Sequence, residues 1–426
     1  MPARAFAPAP PTDAETYTIA SSTMTIVHAI ENAWLTTGGT GAQNYDEFAD
    51  DAEVTAIIEA NPKSALAIEM PHRAPDTVGT AFADALPDAV ERLLRAKTDG
   101  DYAPADDIVV LYRITDPSGG KPAYGMFCLV NTDQISTSEE EPGLVIRNED
   151  VFIEKVRERV ALAETTGHLL SPVLLMQTRR GEELEAELAA ACADAGEPAA
   201  TDVDHAGRTH AIWPLPAGPT ASRLCELAGG GELLVADGNH RTLAAQNGGL
   251  ARFLAVISTP QSLTIQPYHR LVRELAMSSE ELVDRLRHAG AEVTPLQEAP
   301  DTPATAGTVH LYAAGSGYAV TLPTPSDATV TERLDHARVE RVVLADALGL
   351  DAGDKRIIYV GGDYPADWLR GEVDAGRADL AILIPPVPMQ DFVEVNLARQ
   401  KMPRKSTWFT PKARAGLVLV QLRPDA

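Results

Sequence analysis

Asp237, Gly238, Asn239, His240 and Arg241 set a carboxylate, an amide, an imidazole and a guanidinium around one glycine. An apolar run, Leu233 to Ala236, leads into them, and helix formers follow up to the breaker Asn247-Gly248-Gly249. A second apolar run, Phe253 to Ile257, comes next. Strand, glycine turn and helix start together present bare N–H groups and the positive end of a helix dipole to an anion. Such a cluster suits a phosphate. Asp-Gly between apolar runs is also a hairpin signal, but the second arm lacks the required period of two. The spacing therefore predicts a helix start, and the interval is long enough for a parallel crossover. A plainer alternative stands beside the phosphate reading, with Asp237 capping the helix and Arg241 on the surface.

Three further segments carry chemistry. In Gly143 to Phe152, Arg147 can clamp a phosphate and Glu149 can act as a base or hold a metal. Alternatively Asn148 caps a helix whose dipole Glu149 and Asp150 complement. Gln266 to Val272 sets Tyr268, His269 and Arg270 behind a proline, either lining a pocket or packing as an ordinary pair. Residues 398–412 gather Arg399, Lys401, Arg404, Lys405 and Lys412 around Ser406, Thr407, Trp408 and Phe409. That run reads as an anion-binding loop or as solvated surface. GxxxxGK[ST], GxSxG and HExxH are missing, as is GxGxxG after a first strand. The ten histidines show no HxH or HxxxH spacing, so no transition-metal site is expected.

The elements that must position these groups alternate. Strands are expected at 64–70, 171–177, 210–216, 252–257, 356–361 and 379–384. Helices are expected at 80–97 with a break at Pro87, and at 149–166, 180–195, 219–228, 278–290, 330–347, 364–376 and 387–400. A hairpin joins DIVVLYRIT to AYGMFCLV, a strand pair surrounds AAGSG, residues 262–275 read as a linker, and GLVLVQL closes the chain. This alternation predicts a mixed α/β fold. At 426 residues, two or three domains are the expectation. Residues 1–23 read as a mobile Ala/Pro-rich tail, 24–140 as an N-terminal α/β region and 276–426 as a C-terminal α/β domain.

A formal charge of −25 argues against nucleic acid as a partner, since that affinity comes from neutralising phosphates with a basic surface. Cys128, Cys192 and Cys225 are isolated, which fits a reducing compartment. The N-terminus resembles no signal peptide and no run reaches the roughly twenty apolar residues of a membrane span, so a cytoplasmic location off the membrane is expected.

With these motifs in hand, the chain resembles the bacterial and archaeal family named for domain of unknown function 1015. Its central motif of alanine, aspartate, glycine, two histidines and arginine stands here as Ala236 to Arg241. The proline-tyrosine-histidine-arginine step is Pro267 to Arg270, and the Met-Pro-x-Lys-Ser-Thr-x-Phe-x-Pro-Lys hallmark is Met402 to Lys412. LLSPVLL at 169–175 resembles the family's leucine-serine-proline step. The proline-histidine-glutamate step is represented by Arg147, Asn148 and Glu149, and Asn239 stands where a histidine is usual; both departures remove an imidazole.

The resemblance implies a ParB/sulfiredoxin-like nucleotide-binding core over 141–275, related to kinases of free serine. What it implies chemically is an ADP- or ATP-dependent, magnesium-assisted phosphotransferase acting on the hydroxyl of a small metabolite. Gly238, Asn239, His240, Arg241 and Arg147 would contact phosphates. Glu149, Asp237 and His240 would be catalytic, with Asp237 or Glu149 holding Mg²⁺. His269, Arg270, Arg404, Lys405, Ser406 and Thr407 would be substrate or outer phosphate contacts. A nucleotide-binding switch or regulator without chemistry, and a phosphatase using the same cradle, are the alternatives.

Overall fold

A computed structural model describes residues 25–423 apart from 42, 46, 49, 50, 139 and 142. The expected mobile tail lies outside the described residues. The fold is mixed α/β, as the alternation implied. A large sheet runs in the order Ile135–Ser136, Val145–Ile146, Leu233–Asp237, Val173–Gln177, Arg252–Ser258, Ala123–Asn131, Tyr102–Thr115, Ile30–Thr36, Val418–Gln421, His168–Leu169. A second sheet runs Glu292–Pro295, Ser316–Thr321, Thr308–Ala313, Leu380–Leu383, Tyr268–Val272, Ile357–Gly361.

The central strands of the large sheet are continuous apolar runs because both faces are covered. Leu233 and Val235 point into one core with Met126, Cys128, Phe253, Ala255 and Ile257. Leu234 and Ala236 point into the other, with Phe127, Leu254 and Val256. Phe392, Val395, Met402, Phe409 and Ala413 belong to that second core. The segment after the helix Met389–Leu397 is thus held against the same sheet face as the strand that ends at Asp237.

Several expectations meet corrections. The run at 64–70 contains the short helix Leu66–Glu69 and no strand, since a short apolar run carries no period that separates the two. The expected linker at 262–275 holds two strands, Thr264–Gln266 and Tyr268–Val272, the latter wholly buried within the second sheet. Leu233–Asp237 and Arg252–Ser258 are not a parallel crossover pair. Val173–Gln177 lies between them, antiparallel to the first and parallel to the second. The helix expected from 149 begins at Ile153, so Asn148 is no cap. Its amide instead donates to Val235 O at 3.1 Å and Asn396 Oδ1 at 2.7 Å. No helix of the described residues is long and apolar enough to cross a membrane.

Candidate functional site

The strand–turn–helix reading of DGNHR holds. Leu233–Asp237 ends at Gly238, whose φ of 101° only glycine adopts without strain, and the helix Asn239–Asn247 follows. Thr242 N–H opens the intrahelical ladder onto Gly238 O at 3.0 Å, leaving the N–H groups before it outside that ladder. Arg241, Thr242, Ala244 and Ala245 form the buried face of the helix. At its C-terminal end Gly248 faces Val160 of the helix Ile153–Thr166.

Arg241 is not a surface residue. Its guanidinium folds beneath the turn, donating from Nη1 to Pro172 O at 2.5 Å and from Nη2 to Asp237 Oδ2 at 2.8 Å. It clamps the start of the neighbouring strand to the turn. His240 Nε2 accepts the N–H of Phe152 at 3.1 Å, so that nitrogen carries no proton. The Phe152 ring stacks on the imidazole at 6.1 Å, and the Arg404 guanidinium lies 4.9 Å over the Phe152 ring.

The positions where the resembled family carries histidines hold a matched pair of amides. Asn239 Nδ2 donates to Asn148 Oδ1, and the backbone N–H of Asn148 donates to Asn239 Oδ1, both at 3.3 Å. The two departures therefore meet each other.

Around the turn lies a small cleft of about 50 Å³ whose walls include Glu149, residues 236–241, Tyr268, Lys405, Thr407 and Lys412. With Tyr45, five separate stretches of sequence converge on it. Glu149 Oε1 accepts the Lys405 N–H at 3.2 Å, joining two of them. Lys405 holds a φ of 51°, which turns the chain at the rim. Lys412 is buried, with Nζ 3.8 Å over the Trp408 ring. The lining charges are Arg241, Lys405 and Lys412 against Asp237 and Glu149. A net positive cleft in a chain of charge −25 is a local concentration of cations.

Arg270 shapes the far wall without reaching the cleft. It is fully buried, donates to Tyr268 O and His269 O at 3.1 Å each, and donates to Arg404 O at 3.0 Å. Tyr359 lies under its guanidinium at 4.4 Å. The 404–405 loop is thus tied to the strand Tyr268–Val272. His269 is also structural: its Nδ1 accepts Ile384 N–H at 3.1 Å, and burial together with Arg270 lowers its pKa to about 4. Arg147, Arg404 and Ser406 do not line the cleft. Burial lowers the pKa of Arg147, and Ser406 is buried. Sequence reading passed over Tyr45, and gave Tyr268 and Lys412 no individual role. The last two lie inside segments already singled out, whereas Tyr45 gave no signal.

Residues 40–337 match the family model described as protein of unknown function (DUF1015). The chain belongs to this family. The matched stretch includes Glu149, Asp237 to Arg241 and Tyr268, and ends before Lys405 and Lys412. A search of curated proteins finds no match. Among solved structures, a variant of free serine kinase in complex with ADP is similar at 13% identity, over 67% of this chain and 87% of that one, with a TM-score of 0.39. Free serine kinase in complex with AMP is similar at 14% identity over 67% and 87%, with a TM-score of 0.38. A conserved hypothetical protein from Pyrococcus furiosus is similar at 14% identity over 68% and 93%, with a TM-score of 0.38. At such identities and scores, activity does not carry across.

Proposed function

We propose that the cleft binds the phosphates of an adenine nucleotide and transfers a phosphoryl group to the hydroxyl of a small metabolite such as free serine. One observation carries this reading: the Gly238 turn at a helix start, Lys405, Lys412 and Glu149, from distant parts of an acidic chain, share one cleft. Phosphoryl transfer asks mainly for positioning and charge neutralisation, with one carboxylate to orient the acceptor. The helix start and the two lysines supply the first two. Glu149 supplies the third, because it spends one oxygen on Lys405 N–H and keeps the other. His240 is a positioning residue, since its Nε2 is committed to Phe152 N–H.

Magnesium takes one or two carboxylates together with phosphate oxygens and water. Asp237 and Glu149 fit that demand, whereas among the described residues no cluster of three metal-binding side chains exists. Mg²⁺ would therefore enter with the nucleotide, held by Asp237 or Glu149, and would neutralise phosphate charge. Arg241 supports the turn, and its charge acts through the cleft wall.

A binding-only switch is favoured by one feature, the Asn148–Asn239 pair in place of imidazoles. Incubating the protein with Mg²⁺, serine and either ADP or ATP separates the readings. A new phosphoserine resonance in ³¹P NMR supports transfer. Nucleotide binding with no phosphorylated product supports the switch, and turnover of a phosphorylated substrate without nucleotide supports a phosphatase.

A further inference from the structure

A second cavity, larger than the cleft, adjoins the turn. It measures about 570 Å³ and lies behind the turn, beneath the helices Ile153–Thr166 and Asn239–Asn247, with Arg241 in its wall as in that of the cleft. Its floor is apolar: Leu129, Leu170, Val173, Phe253 and Leu254. Its roof takes Val160 and Leu162 from the first helix, alongside the small residues Ala163, Ala244, Ala245, Gly248 and Gly249. Elsewhere in this chain helices meet the sheet with leucines, as Leu184 and Leu188 or Leu224 and Leu227 do. Interiors are normally filled to crystal-like density, so a hollow of this size with a truncated roof is a ligand pocket before it is a packing defect.

Charge says which ligand. Arg159, Arg241, Arg252 and Arg423 stand in the lining against Glu31, Glu69 and Glu164, a net positive wall in a chain of charge −25. Arg252 is paired with Glu31 at the mouth. Arg159 is 8% exposed and sits over the Tyr45 ring at 4.4 Å, donating from Nη2 to Glu69 O at 3.1 Å. Its Nη1 is buried and has no hydrogen-bond partner among the described residues. A buried guanidinium N–H left without an acceptor is costly, and an anionic group entering from the cavity would supply one.

We propose that this cavity is a second binding site, for a small amphipathic anion with an apolar body of roughly 10–20 non-hydrogen atoms, a size that such a pocket encloses. The body lies between the Ala244 face and the Leu254 floor, and the anionic head reaches Arg159. The site stands independently of the nucleotide reading, so it is tested without nucleotide.

Two fluorescent probes of similar shape decide it: 1-anilinonaphthalene-8-sulfonate, which is anionic, and N-phenyl-1-naphthylamine, which is neutral. The full-length chain should bind one equivalent of each, the anion more tightly. Ala244→Leu fills the roof and should weaken both at least tenfold while raising Tm. Arg159→Leu should weaken the anion at least tenfold and the neutral probe less than threefold, with near-UV circular dichroism confirming the fold. Ala163→Leu fills the roof from the other helix and repeats the test should Ala244→Leu not fold. No saturable binding by the wild-type chain, or roof variants that leave both affinities unchanged, overturns the site. Equal loss of both probes in a folded Arg159→Leu overturns the anionic head.

Discussion

Replacing Gly238 by alanine tests whether the turn is built around a missing side chain. Two costs add. At φ 101° an L-residue is strained, by about 1–2 kcal/mol from the clash of Cβ with the backbone. The new Cβ would also stand 3.0 Å from Arg241 Nε and 3.2 Å from Val173 Cα, and the latter is backbone that cannot swing aside. Overpacking of this kind costs about 1–3 kcal/mol. The sum is roughly 2–5 kcal/mol, a large share of the ~5–15 kcal/mol that holds a domain together. Gly249, at the other end of the same helix, supplies an internal control. It has φ 64° and open space where a Cβ would stand, so Gly249→Ala carries the dihedral cost alone, about 1–2 kcal/mol. Urea unfolding should separate the two variants by at least 1 kcal/mol. Nucleotide affinity should fall tenfold or more for Gly238→Ala and stay within threefold for Gly249→Ala. Equal stabilities and equal affinities would refute the close packing of turn, strand and Arg241 described above.

Glu149→Gln should keep nucleotide affinity within about threefold and lower phosphoryl transfer by ~10²-fold or more, the range for a lost acid–base group, read by product formation against calorimetry. Arg270→Met leaves the carbonyls of His269 and Arg404 without this buried donor, while Tyr268 O keeps its bond to His336 Nε2, and should cost about 3 kcal/mol in urea unfolding. Arg270→Lys should recover little of this, since an ammonium lacks the planar fork. Alanine at Asn148 and at Asn239 should be non-additive: the double variant should lose less stability than the two singles together, because the pair shares its bonds. His269, with its pKa lowered to about 4, binds no proton in the native state where the unfolded chain does. Its contribution is present above pH 6.5 and is lost as pH falls toward 4, a slope worth about 3 kcal/mol by linkage. His269→Gln should flatten the fall in urea midpoint between pH 6.5 and 4 relative to wild type.

Local signals decided much of the architecture. The helix Pro219–Ala228 stands where its amphipathic period and flanking Pro and Gly place it, and the hairpin Tyr102–Thr115 with Ala123–Asn131 follows from its turn residues. Partnership between distant strands is another matter. Nothing near Leu233 or Arg252 announces that Val173–Gln177 will insert between them, because register is a property of two chains' faces and not of one. Residues 262–275 read as a linker for the same reason: Tyr268–Val272 is buried on both faces, and a short apolar run becomes a strand only when neighbours receive it.

At the cleft, residue types pointed to the turn, Glu149 and the 404–407 segment, but not to the division of labour. Arg241 and His240 line the cleft, and their letters do not tell that Arg241 Nη1 and Nη2 also donate to Pro172 and Asp237 or that His240 Nε2 accepts from Phe152. His269 and Arg270 look like a substrate pair and serve as internal struts. Lys412 sits one turn of chain beyond the segment's core, and only the packing of Trp408 beneath it brings it inward.

The central claim is that the Gly238 turn and the 405–412 segment form one phosphate site. Calorimetric titration of Mg²⁺-ADP into the full-length protein, beside Lys405→Ala, tests it most directly. One equivalent bound by the wild-type chain, with affinity reduced tenfold or more in a folded Lys405→Ala, is the expected result. The absence of any binding heat from the wild-type chain at millimolar nucleotide would contradict it.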